Sequence, residues 1–147
     1  MAKPTPRKLI PQEIPEIARE IVQKVKFPML ATVDDDKPRV RPVSPLLTQD
    51  FEVYIGNLRS YHKTREIAQN NQIELCYLDS DHNQVRISGH AQIVTDKVLL
   101  QKIWDKNPLL KHYLGDMDNP ELIVYRCIPE KVRFMQEWAL TYHDVPF

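Results

Sequence analysis

The stretch YIGNLRSYHKTREIAQNN, residues 54–71, places cations and hydroxyl groups where an apolar, strand-like segment changes into a helix-forming one. Arg59, Ser60, His62 and Lys63 stand at this junction. The first turn of a helix presents free backbone N–H groups and the positive end of the helix dipole. The junction therefore predicts a site for an anion such as a phosphate.

A second cationic element precedes it, in the segment PRVRPVS at residues 38–44. Strand alternation puts Arg39 and Arg41 on one face, and Pro42 and Pro45 interrupt regular pairing beyond them. Arginine gives phosphate a bidentate hydrogen-bonding fork, and a lysine at a helix start adds a point charge. The two elements could share one phosphate ligand, the alternative being that these cations are merely solvated.

Other kinds of site find little support. The only glycines are Gly56, Gly89 and Gly115, which excludes a GxGxxG fingerprint and a P-loop. The histidines show no metal-ligand spacing with Cys or carboxylates, and no serine or cysteine hydrolase constellation is present. His62 alone is more typical of an exposed polar residue than of a catalyst, although it could act as an acid or base. We therefore assign no catalytic residue and no metal site.

Composition describes one soluble globular domain spanning residues 1–147. The chain is 42% hydrophobic and 27% charged, with a net charge of zero, so no overall field favours nucleic acid or anionic lipid. Residues 1–11 are basic and proline-rich, and we expect them to be flexible. Because neither a signal-peptide run nor a membrane span is visible, a cytoplasmic location and no membrane partner are expected. Cys76 and Cys127 lie in apolar runs typical of buried thiols, although they could pair.

The hydrophobic pattern predicts a mainly β (α+β) fold. An amphipathic helix ending near Lys26 is predicted from apolar residues at helical spacing, namely Ile14, Ile17, Ala18, Ile21, Val22 and Val25. Short alternating or β-branched runs follow: MLATVD, PRVRPVSPLL, FEVYIGN, IELCYLD, QVRISGHAQIV and ELIVYRCI, with KVRFMQEW as a plausible seventh. Helices are predicted at 62–70 and within 96–114, the latter with an apolar face of Val98, Leu99, Ile103 and Trp104. Six or seven strands linked mainly by hairpins favour closure into a small antiparallel barrel with flanking helices.

The run QVRISGHAQIV has two distinct faces. One face carries Val85, Ile87, Gly89, Ala91 and Ile93, and the other carries Gln84, Arg86, Ser88, His90 and Gln92. The second face is too polar for a core. We expect it to meet solvent, a ligand or a partner subunit.

These motifs, in this order, resemble a known family. From about Phe27 to Met135 the chain is similar to the pyridoxamine 5′-phosphate oxidase-like, FMN-binding split-barrel proteins, especially the general-stress-protein type. The similarity is carried by RPVS at 41–44, by HKTREIAQNNQIELCYLD, by QVRISGHAQIV and by the turn DNPEL before the last long strand.

The resemblance implies an antiparallel split β-barrel that forms a homodimer, with FMN sites at the interface drawing on both chains. The residues it places at the cofactor are Arg41, Pro42, Val43, Ser44, Asn57, Tyr61, His62, Lys63 and Gln84. Arg41 and Lys63 would bind the phosphate, and Val43 and Ser44 would run past the isoalloxazine ring. Asn57 stands where the family has Thr, Tyr61 where it has a small residue, and His62 where it often has Arg. Gln84 would reach the ring region.

The function implied is that of an FMN-dependent oxidoreductase acting on an unidentified small molecule. True pyridoxamine-phosphate oxidase activity is not expected, because the C-terminal WALTYHDVPF lacks paired arginines. One alternative is a deazaflavin-dependent reductase on the same barrel. Another is a non-catalytic flavin- or haem-binding or sensing protein. A nucleic-acid-binding barrel is disfavoured by the zero net charge.

Overall fold

An amphipathic helix, α1 (Ile14–Lys24), follows a short 3-10 helix at Pro11–Glu13 in the computed structural model, which describes residues 2–3 and 5–147. The apolar face of α1 is buried at Ile14, Ala18, Ile21 and Val22, as its spacing predicts. The helix ends two residues before the expected Lys26. Two positions of the segment predicted to be flexible, residues 1 and 4, lie outside the described residues.

Eight strands and three more helices follow. The strands are β1 (Met29–Asp34), β2 (Lys37–Pro42), β3 (Pro45–Gln49), β4 (Glu52–Leu58), β5 (Gln72–Leu78), β6 (Gln84–Ile93), β7 (Leu122–Met135) and β8 (His143–Asp144). The helices are α2 (His62–Gln69), α3 (Lys97–Lys106) and α4 (Pro108–Leu114). Three differences separate these eight strands from the predicted six or seven, the first being the short strand β8, which was not predicted. The run PRVRPVSPLL forms two strands, and the two runs ELIVYRCI and KVRFM form the single long strand β7.

The strands form one antiparallel sheet in the order β2-β1-β5-β6-β7-β4-β3, with β8 added to β7. This is the predicted split-barrel architecture with flanking helices. The predicted closure of the strands is wrong, because β2 and β3 do not pair and form the two ends of the hydrogen-bonded path. The chain passes from one end of the path to the other through the two residues between Pro42 and Pro45.

The outer edge of the end strand β2 has few backbone N–H donors. Its register with β1 pairs Arg41 with Leu30, and the Val43 N–H donates to the carbonyl of Pro28 at 2.9 Å. Since alternate residues of an antiparallel strand point their N–H groups to opposite sides, positions 38, 40 and 42 direct theirs away from β1. Two of these positions are Pro38 and Pro42, which have no N–H group.

The core fills the inner face of the sheet beneath α1. On β6 the predicted alternation is confirmed for Val85, Ile87, Gly89 and Ala91, which are buried, whereas Ile93 at the strand end is 49% exposed. The helical region after β6 is broken by Pro108 into α3 and α4. The predicted apolar face of α3 is wrong at Val98, which is 80% exposed, and right at Ile103, which is buried against β4 and β7.

A β-bulge brings β6 and β7 into very close contact. The register changes between Ser88 and Gly89, so that Ser88 faces Lys131 while Gly89 faces Pro129. A Cβ atom on Gly89 would lie 1.9 Å from the carbonyl oxygen of Ile128. Only glycine allows the two strands to approach to this distance.

Both cysteines are free thiols, so the possible pairing of Cys76 with Cys127 does not occur. Burial raises the pKa of the Cys127 thiol to about 12 and also raises the pKa of Cys76. Across the described part of the chain, no helix has the length and apolar character needed to cross a membrane.

Candidate functional site

Arg41 lies on the inner face of the sheet, at the end of β2. Its cross-strand partner on that face is Leu30, which is fully buried. The guanidinium donates hydrogen bonds to Thr32 Oγ1 at 2.7 Å, to the Leu30 carbonyl at 3.3 Å and to Glu66 Oε2 at 2.8 Å. These bonds use three of its five N–H donors. The side chain keeps 26% of its surface exposed, so the remaining donors can serve a ligand.

Glu66 is the acidic partner of this arginine. The residue is 4% exposed and lies on the inner side of α2, where it also accepts a hydrogen bond from Thr32 Oγ1 at 2.9 Å. A buried carboxylate requires such partners. Sequence analysis did not identify Glu66 or Thr32 as site residues. The signal was available, because Glu66 and Ile67 share the face of α2 that an amphipathic helix buries.

Lys63 lies three residues before Glu66 on α2 and so on the same side of the helix. The Lys63 side chain is half-buried. Burial, together with the neighbouring charge of Arg41, lowers the pKa of the Lys63 ammonium below its usual value. The structure therefore brings the two predicted cations, Arg41 and Lys63, to the same side of the molecule at the start of α2.

Asn57 approaches the same helix start from β4. Its Nδ2 donates to Thr64 Oγ1 at 2.7 Å, and that hydroxyl donates to the Leu58 carbonyl at 2.9 Å. The side chain of Asn57 is therefore fixed against the first turn of α2. Thr64, which follows Lys63 directly in the sequence, is a further contact that sequence analysis did not single out.

The loop before α2 is bound to the turn before β7. Arg59 Nε donates to the Pro120 carbonyl at 2.9 Å, and Ser60 Oγ donates to Glu121 Oε2 at 2.7 Å. Both side chains were candidates for the anion site from the sequence. In the structure both side chains hold the loop against the turn before β7, whereas Arg41 and Lys63 lie on the inner side of α2.

The start of α2 is open to solvent. Tyr61 precedes the first helical residue and is 58% exposed, and His62 is exposed as well. No side chain of the described residues caps the helix N-terminus. The N–H groups of His62 and Lys63 have no acceptor among the described residues, whereas that of Thr64 donates to the Tyr61 carbonyl at 3.1 Å. The first two N–H groups of the helix can therefore bind an anion.

The segment that follows Arg41 differs in exposure from residue to residue. Pro42 and Ser44 are exposed, and Val43 is 7% exposed. The backbone N–H of Val43 donates to Pro28. Val43 and Ser44 are the two residues predicted to run past the flavin ring. The N–H of Ser44, unlike that of Val43, has no acceptor within the part of the chain that the structure describes.

Gln84 lies apart from the other predicted residues. It stands on the outer face of β6, next to the buried Val85, and pairs with the exposed Leu78 of β5. Its Oε1 accepts a hydrogen bond from the Tyr142 hydroxyl at 3.2 Å. Because Arg41 is on the inner face and Gln84 on the outer face, one chain does not bring them into a single site.

Comparison with known proteins identifies a family that matches most of the chain. The model of the family described as pyridoxamine 5′-phosphate oxidase matches residues 14–136. Among curated proteins, none matches the sequence.

Solved structures share the fold at low sequence identity. General Stress Protein 26 from Bacillus anthracis is 23% identical, with a TM-score of 0.74 over 90% of this chain and 99% of its own. A protein related to general stress protein 26, of the pyridoxinephosphate oxidase family, from Clostridium acetobutylicum is 15% identical, with a TM-score of 0.78 over 95% of this chain and 97% of its own. A heme binding protein from Mycobacterium smegmatis is 17% identical, with a TM-score of 0.74 over 95% of this chain and 59% of its own.

Proposed function

Because the chain belongs to the pyridoxamine 5′-phosphate oxidase family, we propose that it binds FMN and acts as an oxidoreductase on a small molecule. The observation that carries the proposal is the position of Arg41 and Lys63. Both cations lie on one side of α2, at a helix start without a side-chain cap. A phosphate ester is an anion that such a site would hold.

The charges of the site fit a phosphate dianion. Arg41 and Lys63 contribute two positive charges, and Glu66 contributes one negative charge, so the free site carries a net positive charge. The lowered pKa of Lys63 indicates that its ammonium lacks a sufficient counter-ion in the free protein. A bound phosphate would supply that counter-ion, while the free N–H donors of Arg41 and the first turn of α2 would hydrogen-bond to its oxygens.

The cofactor site would require two copies of the chain. Arg41 and Gln84 lie on opposite faces of the sheet, and the resemblance assigns both to FMN. A second copy that presents its outer face to the first would bring its Gln84 to the ring region. A homodimer with shared sites is therefore part of the proposal.

FMN, when bound, would supply the chemistry of hydride and electron transfer. The protein residues would bind and orient it. Asn57 would contribute an amide fixed by Thr64, and the Ser44 N–H would be available at the ring. His62 is exposed at the helix start and is the closest candidate for a proton-transfer group.

Haem is the second candidate ligand, because a protein of the same fold is described as heme binding. The carboxylates of its two propionates could pair with Arg41 and Lys63. Such a function would need no turnover. Titration with haemin separates the two ligands, because bound haem gives a Soret band and bound FMN gives the flavin bands.

The decisive experiment compares FMN with riboflavin, which has the same ring and no phosphate. We expect the purified protein to quench FMN fluorescence and to bind FMN at least tenfold more tightly than riboflavin, since a charge-assisted hydrogen bond contributes about 1.5–3 kcal/mol. In Lys63→Ala this preference should disappear. Lys97→Ala is the matched control, because Lys97 stands at the start of α3 and is exposed. Equal affinity for FMN and riboflavin in the unmodified protein would refute the phosphate site.

A further inference from the structure

Two arginines face each other on the outer surface of the sheet. Arg86 of β6 and Arg133 of β7 are direct cross-strand partners, a position in which like charges repel. One carboxylate lies between them: Glu74 Oε1 is 2.7 Å from Nη2 of Arg86 and 3.1 Å from Nη2 of Arg133. We call Arg86 and Arg133 the arginine pair. Asp144, the cross-strand partner of Arg133 on β8, is paired with Lys131 at 3.5 Å. With Glu74 as the one carboxylate bound to both guanidinium groups, the cluster keeps one positive charge.

One donor of the arginine pair is left without a partner. Arg86 donates from Nε to Glu74 at 2.7 Å. The Nε of Arg133 is buried and has no acceptor among the described residues. Buried donors in proteins are normally satisfied by protein, water or ligand, so this one points to a missing acceptor.

Tyr142 covers the arginine pair. Its ring centroid is 5.7 Å from Cζ of Arg86 and 5.4 Å from Cζ of Arg133. Its hydroxyl donates to Gln84 Oε1 at 3.2 Å, which fixes the ring over the cations. The Tyr142 ring and two guanidinium groups therefore lie next to each other on the outer surface of the sheet.

The segment that delivers Tyr142 is unusual in its backbone. Trp138 and Leu140 have φ angles of 65° and 58°, in the left-handed region that large residues rarely adopt. Their side chains are 46% and 76% exposed. A backbone of this kind is retained where its surroundings hold it, and here the contacts of Tyr142 with Gln84 and the arginine pair follow directly after it.

We propose that the arginine pair binds the carboxylate of an aromatic carboxylic acid, whose ring packs against Tyr142. The guanidinium fork matches a carboxylate. A monoanion balances the single positive charge that Glu74 leaves on the cluster, whereas a phosphate dianion would exceed it and lie close to the Glu74 carboxylate. The flat ring of the ligand would extend the contact that Tyr142 already makes with the cations.

The place of this ligand in the reaction rests on the proposed function. Gln84 bonds to Tyr142 and is also the residue assigned to the flavin ring. An aromatic carboxylic acid on the arginine pair would therefore lie beside that ring, in the position of a substrate. The anion site itself is a property of one chain and can be measured without FMN.

The test uses the FMN-free protein, labelled with 15N, and follows the arginine Nε–H signals by NMR. Benzoate is the probe, and benzamide is its uncharged counterpart of the same shape. We expect benzoate to shift the Arg133 signal in a saturable way and benzamide to leave it in place. Arg133→Met should weaken benzoate binding at least tenfold, Arg133→Lys should recover part of it, and Tyr142→Ala should weaken it several-fold.

Two controls make the outcome decisive. Arg39→Met removes an arginine that pairs with Asp34 on the other face of the sheet, and it should leave benzoate binding unchanged. Lys63→Ala should abolish the preference for FMN while benzoate still binds, so a failure of the flavin proposal alone would be recognised. Equal shifts with benzamide, a non-saturating response to benzoate up to about 50 mM, or undiminished binding in correctly folded Arg133→Met would each overturn the assignment.

Discussion

The carboxylate of Glu66 lies 2.8 Å from the guanidinium of Arg41 and is almost fully buried. This contact joins the end of β2 to α2 and places an anion beside the arginine that is proposed to bind phosphate. Glu66 thus has two opposing effects. It stabilises the fold by satisfying Arg41, and it reduces the positive charge available to a ligand.

The first prediction separates these effects with Glu66→Gln. The amide keeps an oxygen for Arg41 and removes the negative charge, so we expect the variant to bind FMN about tenfold more tightly, because two unopposed cations then face the phosphate. It should also be less stable, by up to about 3 kcal/mol, since a buried ion pair has lost one charge. FMN titration and urea denaturation measure the two quantities. Weaker FMN binding in a folded Glu66→Gln protein would contradict this account.

The second prediction concerns Lys63. Its pKa is lowered by burial and by Arg41, so the charged form costs free energy in the FMN-free protein. Lys63→Met keeps the length of the side chain without the charge, and we expect it to melt at a higher temperature at pH 7 while binding FMN about 10- to 100-fold more weakly.

The stability gained in Lys63→Met should depend on pH. The unfolded chain, in which the lysine has its ordinary pKa of 10.5, binds a proton that the folded chain tends to lose. The free energy cost of burying the charged Lys63 is therefore lost as pH rises, and the parent protein becomes more stable. The difference in melting temperature between the Met variant and the parent should shrink as pH approaches 10.5. A difference in melting temperature that grows with pH would contradict this prediction.

The third prediction concerns Tyr54, whose side chain is buried where α3 packs on β4. Burial, followed by the hydrogen bond to Glu52, raises its pKa from 10.0 to about 12. Below pH 10 its contribution to stability is fully present, and it is lost as pH rises to about 12. Urea denaturation between these pH values should show a decline that is smaller in Tyr54→Phe. Absorbance at the tyrosinate band should show this group ionising after the exposed tyrosines.

The fourth prediction tests the close contact of β6 with β7 at the bulge, where Glu130 of β7 has no partner on β6. In Gly89→Ala the new methyl group would lie 1.9 Å from the Ile128 carbonyl oxygen, so the two strands must separate, and we expect a loss of more than about 3 kcal/mol. Gly115→Ala is the control. Gly115 has φ of 76°, and a Cβ added there would have no atom within 4 Å apart from those of its chain neighbours. That change should cost only about 1 kcal/mol, from backbone strain alone. Similar losses in the two variants would show that close contact at Gly89 is unimportant.

Local patterns in the sequence predicted the parts of the fold that depend on local physics. The alternation of β6, the apolar face of α1 and the start of α2 at His62 all follow from residue types and spacing. Spacing also indicated that Arg41 and Lys63 could share a ligand. The structure places both cations on the inner side of α2.

Contacts between distant segments were not predictable in the same way. The runs ELIVYRCI and KVRFMQEW suggested two strands, yet pairing with β6 continues through Pro129 and makes β7 one strand with a bulge. The apolar spacing of α3 included Val98, but only the side toward Ile103 finds a surface to cover it. Glu66 and Thr32 are separated by 34 residues, so nothing in either local pattern identified their contact.

The two prolines of β2 have a consequence for how the protein behaves in solution. An end strand normally offers a row of N–H and C=O groups on which the strand of another molecule can add, which leads to aggregation. Pro38 and Pro42 remove two of the three outward N–H donors, and Lys37 and Arg39 add charge. The strand that carries Arg41 can therefore remain uncovered for a small ligand while it resists edge-to-edge polymerisation.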